Sequence, residues 1–243
     1  MKTWVLLRGL MRESRHWGDF IVKAQTAWPN DKIMTLDWPG NGVLHQQNSL
    51  SHIEEMVAHI RQSLATHPGP YHVLAISLGA MAAVAWAKAY PAEISACILI
   101  NTSLRPINPF YQRLRPQSYL ALLRLFISRP ENKERIILQL TSQTRPQAAL
   151  AAWVVMQRQY PISHLNILRQ LLAAIRYKAS QPQVPILLLS GGADQLVSPA
   201  CSQTLANKWQ VPCLVHTQAG HDLPLDDADW VLRAIAQYLS SHH

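Results

Sequence analysis

Tyr71-His72-Val73-Leu74-Ala75-Ile76-Ser77-Leu78-Gly79-Ala80 runs from an apolar segment straight into a serine, then into an alanine-rich stretch that ends at Tyr90. The first part predicts a buried strand over 71–76 and the second a helix over 78–90. Ser77 then stands on a sharp strand-to-helix turn, with small residues (Ala75 and Gly79) two positions to either side. Small neighbours let strand and helix approach without clash, and the turn lifts the hydroxyl above the sheet. The N-terminus of the following helix favours negative charge beside it. Taken alone, such a hexapeptide also occurs in turns that do no chemistry.

The pattern on both sides agrees with a sheet. Thr3–Leu7, Lys32–Leu36 and Ile94–Ile100 predict further buried strands, and Ile53, Met56, Val57, Ile60 and Leu64 mark one face of a helix over 51–65. Alternating apolar strands and helices predict an α/β fold with a mostly parallel, doubly wound sheet. The rhythm changes at about Pro116, where four helical segments follow, near 116–127, 131–142, 146–159 and 163–177. Pro130, Pro146 and Pro161 sit at their ends. Strands near 185–189 and 211–215, with helices near 199–208 and 228–239, resume the sheet pattern. The expected organisation is therefore one core, residues 1–104 and 180–243, interrupted by a helical insertion at 105–179.

Composition narrows the classes. The 243 residues are 49% hydrophobic, ordinary for a globular chain. Trp4–Leu7 is too short for a signal-peptide core, and Val73–Ala87 falls short of the ~20 residues that a membrane helix needs. Cys97, Cys201 and Cys213 are sparse and lack CxxC spacing, so reduced thiols in a cytoplasmic protein are expected, with no disulfide framework and no metal site. His242 and His243 fit either a native end or the stub of a tag and carry no functional argument. The net charge of +8 is unevenly placed. Residues 105–178 hold twelve Lys/Arg against Glu131 and Glu134, a balance of +10, while the remainder is −2. No basic run or motif of a nucleic-acid binder is present.

Two further residues complete a chemical set. Asp194 follows the apolar run Leu187–Leu189 and the Gly191-Gly192 turn, at the sheet edge where open α/β proteins bind ligands. A turn or helix-capping role is the alternative, given Ser198-Pro199 just after. It is the only aspartate between Asp37 and His221, and the segment after the strand ending at Ile100 has no acid before Glu131. His221 lies in Ala219-Gly220-His221-Asp222, beyond the last predicted strand. Serine is a poor nucleophile; an imidazole that takes its proton, oriented by a carboxylate, makes it a good one. Ser, then Asp, then His, each after a successive strand, is the order that chemistry takes on this kind of sheet.

On these residues the chain resembles the α/β-hydrolase superfamily along nearly its whole length. Leu7-Arg8-Gly9-Leu10 resembles the superfamily's His-Gly oxyanion turn, with Arg8 in the histidine position. Asp37-Trp38-Pro39-Gly40-Asn41-Gly42 resembles its Asp-x-Pro-Gly-x-Gly turn, and Ala219-Gly220-His221 the setting of its histidine. The resemblance implies an oxyanion hole from the backbone N–H groups of Leu10 and Leu78, where one donor is worth ~3 kcal/mol. It implies that the insertion is the superfamily's cap, and that no cofactor is needed. Ser77 sets the chain apart from haloalkane dehalogenases and epoxide hydrolases, which place aspartate at the elbow. In size and helical cap it is similar to pimeloyl-acyl-carrier-protein methyl ester esterases of biotin biosynthesis and to related small carboxylesterases.

The expected activity is hydrolysis of a carboxylic ester or thioester through an acyl-Ser77 intermediate, with His221 as base and Asp194 as its partner. The alternatives are a non-hydrolytic ligand-binding member and a lyase or C–C hydrolase of the same fold. A lipase is expected less, because the basic insertion predicts no long apolar surface. Arg113, Arg115, Arg124, Arg129, Lys133, Arg135, Arg158 and Arg169 are candidate contacts for an anionic partner, such as an acidic acyl carrier protein. A solvated surface whose arginine stems cover apolar area is the alternative.

Overall fold

In the computed structural model, which describes residues 1–241, six parallel strands form one sheet in the order β2-β1-β3-β4-β5-β6. His242 and His243 lie outside the described residues. The strands are β1 Thr3–Leu7, β2 Lys32–Leu36, β3 Tyr71–Ile76, β4 Ile94–Ile100, β5 Ile186–Gly191 and β6 Cys213–His216. Each lies within a few residues of its expected place. β3 is buried along its whole length and pairs with β1 and β4, so the turn that carries Ser77 leaves from mid-sheet.

The central strands β1, β3, β4 and β5 are largely apolar on both faces because helices cover both. Helices α2 (Ile53–Ser63), α3 (Leu78–Ala89) and α9 (Ala200–Trp209) pack one face, where Trp38, Ile60, Val84 and Leu205 meet Val5, Val73 and Leu188. Helices α1 (Phe20–Ala27) and α11 (Ala228–Ser240) pack the other, where Phe20, Ala24, Val231 and Ile235 meet Leu6, Leu74 and Ile98. The fold is the doubly wound α/β sheet that the pattern predicts. Helix α1 is absent from that prediction. It buries only Phe20 and Ala24, too few apolar positions to mark a helical face.

Between β4 and β5 the chain forms α4 (Phe110–Arg113), α5 (Tyr119–Leu125), α6 (Pro130–Thr141), α7 (Gln147–Gln159) and α8 (His164–Arg176). The prolines act as the sequence suggests: Pro130 is the first residue of α6, Pro146 caps α7, and Pro161 follows it. The insertion has a small core of its own, Leu125, Ile137, Leu138 and Trp153. It is tied to the sheet by the buried Arg12–Glu134 ion pair, 2.7 Å, with the Arg12 guanidinium also over the Trp153 ring. After β6 comes the short α10 (Leu223–Asp226).

Candidate active site

Ser77 sits at φ 53°, ψ −112°, a conformation an L-residue adopts only under constraint. Its N–H donates to Ile100 O at 3.0 Å, which fixes the turn against β4. Gly79 is required beside it. A Cβ there would lie 2.6 Å from Leu7 O and 2.7 Å from Arg8 O, so α3 runs directly against the end of β1. Ala75 is fully buried, and its methyl group fits without displacing the turn. Gly9 packs on the serine itself, with room for no more than a tight contact to Ser77 Cβ.

Asp194 makes contacts of both kinds that its sequence position allows. Its Oδ1 accepts from the N–H groups of Leu196 and Val197, at 2.8 and 3.0 Å, which holds its own loop. Its Oδ2 lies 2.7 Å from His221 Nδ1. With the carboxylate on Nδ1, the other ring nitrogen is left to accept a proton. The loop is braced by the insertion: Arg115 donates to Asp194 O at 2.6 Å, Ser118 to Gln195 O and Gln143 to Ala193 O. Burial works to lower the pKa of His221, but the charge and hydrogen bond of Asp194, joined by Asp222, outweigh it and hold the pKa above its ordinary value. A reaction that uses neutral His221 as base should therefore lose kcat/KM as pH falls, with its acid limb above the ~6.5 of a free imidazole. A pH profile of acylation that stays flat from mildly acidic to neutral pH would contradict this.

Asn101 is a residue that the sequence reading missed. At φ 48° just past β4, it accepts from Gly191 N–H and donates to both Gly220 O and His221 O. One side chain thus ties the Asp194 loop to the His221 loop. Its signal was an asparagine directly after the apolar run Ala96–Ile100, with the tolerance of asparagine for left-handed backbone.

Ser77, Leu78, Gly9, Leu10 and His221 all line one cavity of about 570 Å³. Most of its remaining wall is apolar and comes from the insertion: Leu122, Phe126, Ile137, Leu140, Leu171 and others. Phe110, Leu123 and Ile175 line it and are also exposed, at 76%, 65% and 58%, so they stand at its mouth. Around them α8 presents Leu165, Leu168 and Leu172, and α5 presents Leu120, to solvent. This corrects the expectation of an insertion without apolar surface: its surface combines basic residues with an exposed apolar face.

The eight basic candidates do not form one free patch. Arg113 and Arg115 are half-buried and donate to the backbone at Ala174 and Asp194. Arg158 pairs with Glu131, Arg169 bonds Asn48 and Lys133 meets His164. Arg124, Arg129 and Arg135 are exposed. Cys97 and Cys201 are buried free thiols, and burial pushes both up to about 12. Among the described residues, no group of three or more His, Cys, Asp or Glu is placed to hold a metal, and no helix is long and apolar enough to cross a membrane.

A family model described as serine aminopeptidase, S33, matches residues 31–226, most of the chain. The chain belongs to this family of α/β-hydrolases. Human monoacylglycerol lipase ABHD6 is 27% identical over 238 residues, covering 88% of this hydrolase and 69% of the relative. Among solved structures, the enol-lactonase of Burkholderia xenovorans superposes with a TM-score of 0.77 at 16% identity, over 98% of this chain and 91% of that one. The monoacylglycerol lipase of Paleococcus ferrophilus does so with a TM-score of 0.66 at 22% identity, over 99% and 95%. At such identities the superpositions speak for the fold. The family makes the chain a hydrolase; neither the carboxylesterase class nor a carrier-linked substrate follows from it.

Proposed function

We propose that this hydrolase cleaves a carboxylic ester with a long apolar acyl group through an acyl-Ser77 intermediate. The observation that carries the reading is the apolar cavity joining Ser77 and His221 to the side chains of the insertion. Ser77 Oγ attacks the carbonyl while His221 Nε2 takes its proton, and Asp194 stabilises the imidazolium. The backbone N–H groups of Leu10 and Leu78 hold the oxyanion. His221 then protonates the leaving alcohol and activates the water that frees the enzyme. The helical insertion acts as a cap that lends its apolar wall to the acyl chain. Relatives named as monoacylglycerol lipases agree with an ester of this kind.

A series of p-nitrophenyl esters tests the reading. Each methylene buried in the cavity is worth up to ~0.8 kcal/mol, about fourfold in kcat/KM, so activity should climb steeply from acetate to medium-chain esters. Leu123→Asp or Ile175→Asp at the mouth should flatten that climb while leaving acetate hydrolysis near its original rate. A wild-type profile that peaks at acetate overturns the long-chain assignment. Failure of every ester, together with no labelling by a fluorophosphonate, would point to a binding-only member.

A second reading, a carrier-linked ester such as a pimeloyl methyl ester on an acidic acyl carrier protein, is favoured by exposed Arg124, Arg129 and Arg135. Within 105–178 the only acids, Glu131 and Glu134, are already paired. Exposed charges are screened over ~8–10 Å, so a docked carrier predicts a steep salt loss for the carrier substrate alone. Equal salt dependence for carrier-linked and small esters removes this reading.

A further inference from the structure

Arg8 is a charged residue in a place where the structure buries almost everything else. It follows β1 directly, precedes Gly9 and Leu10, and is 3% exposed. Its two terminal nitrogens reach Asp222 Oδ1 and Oδ2, at 3.0 and 2.5 Å, a two-pronged pair across 214 residues of chain. Asp222 is the neighbour of His221 and is 4% exposed. The guanidinium also lies 5.0 Å from the Trp17 ring centroid, and Arg8 O accepts from Trp38 Nε1 at 2.9 Å. Both charged residues line the cavity that holds Ser77.

We infer that the Arg8–Asp222 pair is a positioning device that sets the register between the Gly9-Leu10 turn and His221, and balances charge around the imidazole. The inference rests on the proposed hydrolytic reading for its kinetic consequence, but not for its electrostatic one. The turn and the histidine arrive from opposite ends of the chain, and their shared task requires sub-ångström agreement. A bidentate guanidinium–carboxylate pair supplies direction as well as attraction, because both prongs are lost together when the planes tilt. Asp222 is also held from behind, its N–H donating to Thr141 O at 2.7 Å, so the insertion joins the same clamp.

The charges facing His221 come from three places. Asp194 lies on the loop after β5, Asp222 on its own loop, and Arg8 after β1; the carboxylates favour imidazolium and Arg8 opposes it. Of the neighbouring charges, Asp226 is occupied by Gly220 N–H and Ser142, and Arg115 by the Asp194 carbonyl. Arg8 thus offsets Asp222, and Asp194 is left as the uncompensated partner of the base.

Three variants separate geometry from charge. Asp222→Asn removes the anion and keeps its size and an acceptor; Arg8→Lys keeps the cation and loses the fork. The double change Arg8→Met with Asp222→Leu removes both charges and keeps the volume, should a single variant leave a buried charge that prevents folding. The readouts are kcat and KM on the best ester of the acyl series, and NMR titration of the His221 ring in a Ser77→Ala background. Asp222→Asn should move the His221 titration to lower pH, Arg8→Lys should leave it in place, and the double variant should bring it back toward wild type. Both single variants should lower kcat on the order of 10- to 100-fold with KM nearly unchanged, as a small misplacement of catalytic groups does. An unmoved titration in Asp222→Asn overturns the charge balance, whether or not the protein hydrolyses any ester. Wild-type kcat in Arg8→Lys, or a loss that follows thermal unfolding and is recovered on cooling, overturns the positioning role.

Discussion

Ser77→Ala is expected to abolish covalent labelling by a fluorophosphonate and to lower ester turnover by roughly 10⁴–10⁶-fold, with the fold intact. Alanine can occupy the φ 53° turn, and the Ser77 N–H bond to Ile100 O does not involve the hydroxyl. His221→Ala should be similarly severe, because serine without a base stays protonated. Asp194→Asn is the more informative change. An amide oxygen can still accept from Leu196 and Val197, so the loop should stay in place while an NH₂ group replaces the oxygen that faces His221 Nδ1. The ring would then be driven to the wrong tautomer, and the expected loss is ~10⁴-fold. The checks are active-site titration, kcat/KM and a thermal melt of each variant. Retention of wild-type esterase activity in Ser77→Ala would remove the mechanism.

Gly191→Ala should damage stability and activity together, although it adds one methyl group to a residue that does not line the Ser77 cavity. A Cβ at 191 would stand 2.1 Å from Gly220 O and 2.6 Å from Ala219 O, both backbone atoms. Neither can easily retreat. Gly220 O accepts from Asn101, Gly220 N–H donates to Asp226, and Ala219 O accepts from Ala193 N–H. The clash must push the Asp194 and His221 loops apart. Overpacking of this kind costs about 1–3 kcal/mol, which at this chain length is several degrees in Tm. The kinetic effect should exceed what that destabilisation explains, since in the proposed mechanism kcat depends on the 2.7 Å contact between Asp194 and His221. A normal Tm with normal kcat would show that the two loops are less tightly docked than these contacts require.

Much of this protein could be read from residue patterns because local rules and tertiary needs coincide. The runs at 3–7, 71–76, 94–100 and 186–189 are apolar on both faces, which only a covered parallel sheet accommodates, and the residues after three of its strands are Ser77, Asp194 and His221. Small residues around Ser77 are demanded by the turn itself. Prolines at 130, 146 and 161 stop or start helices wherever they occur, so the insertion's helices were also legible.

Other features depended on which groups meet across long stretches of chain. The clamp made by Asn101, the Arg8–Asp222 pair and the bond from Arg115 to the Asp194 carbonyl join residues 79 to 214 positions apart, and no local pattern encodes such meetings. Arg113 and Arg115 read as surface charge in sequence, but they donate to backbone carbonyls. The insertion's exposed apolar face was hidden for a related reason. Leu165, Leu168, Leu172 and Ile175 have the spacing of a buried stripe, and helical periodicity reports that a face is apolar without reporting what covers it. In α8 the side facing the protein is held by Ile167 and Ala173, and by the polar Asn166 and Gln170, which bond Ser49 and Asn41. Sequence periodicity determined the sheet and the residues at its edge; packing decided which stripe of α8 faced solvent, because only the assembled neighbours remove one face of a helix from water.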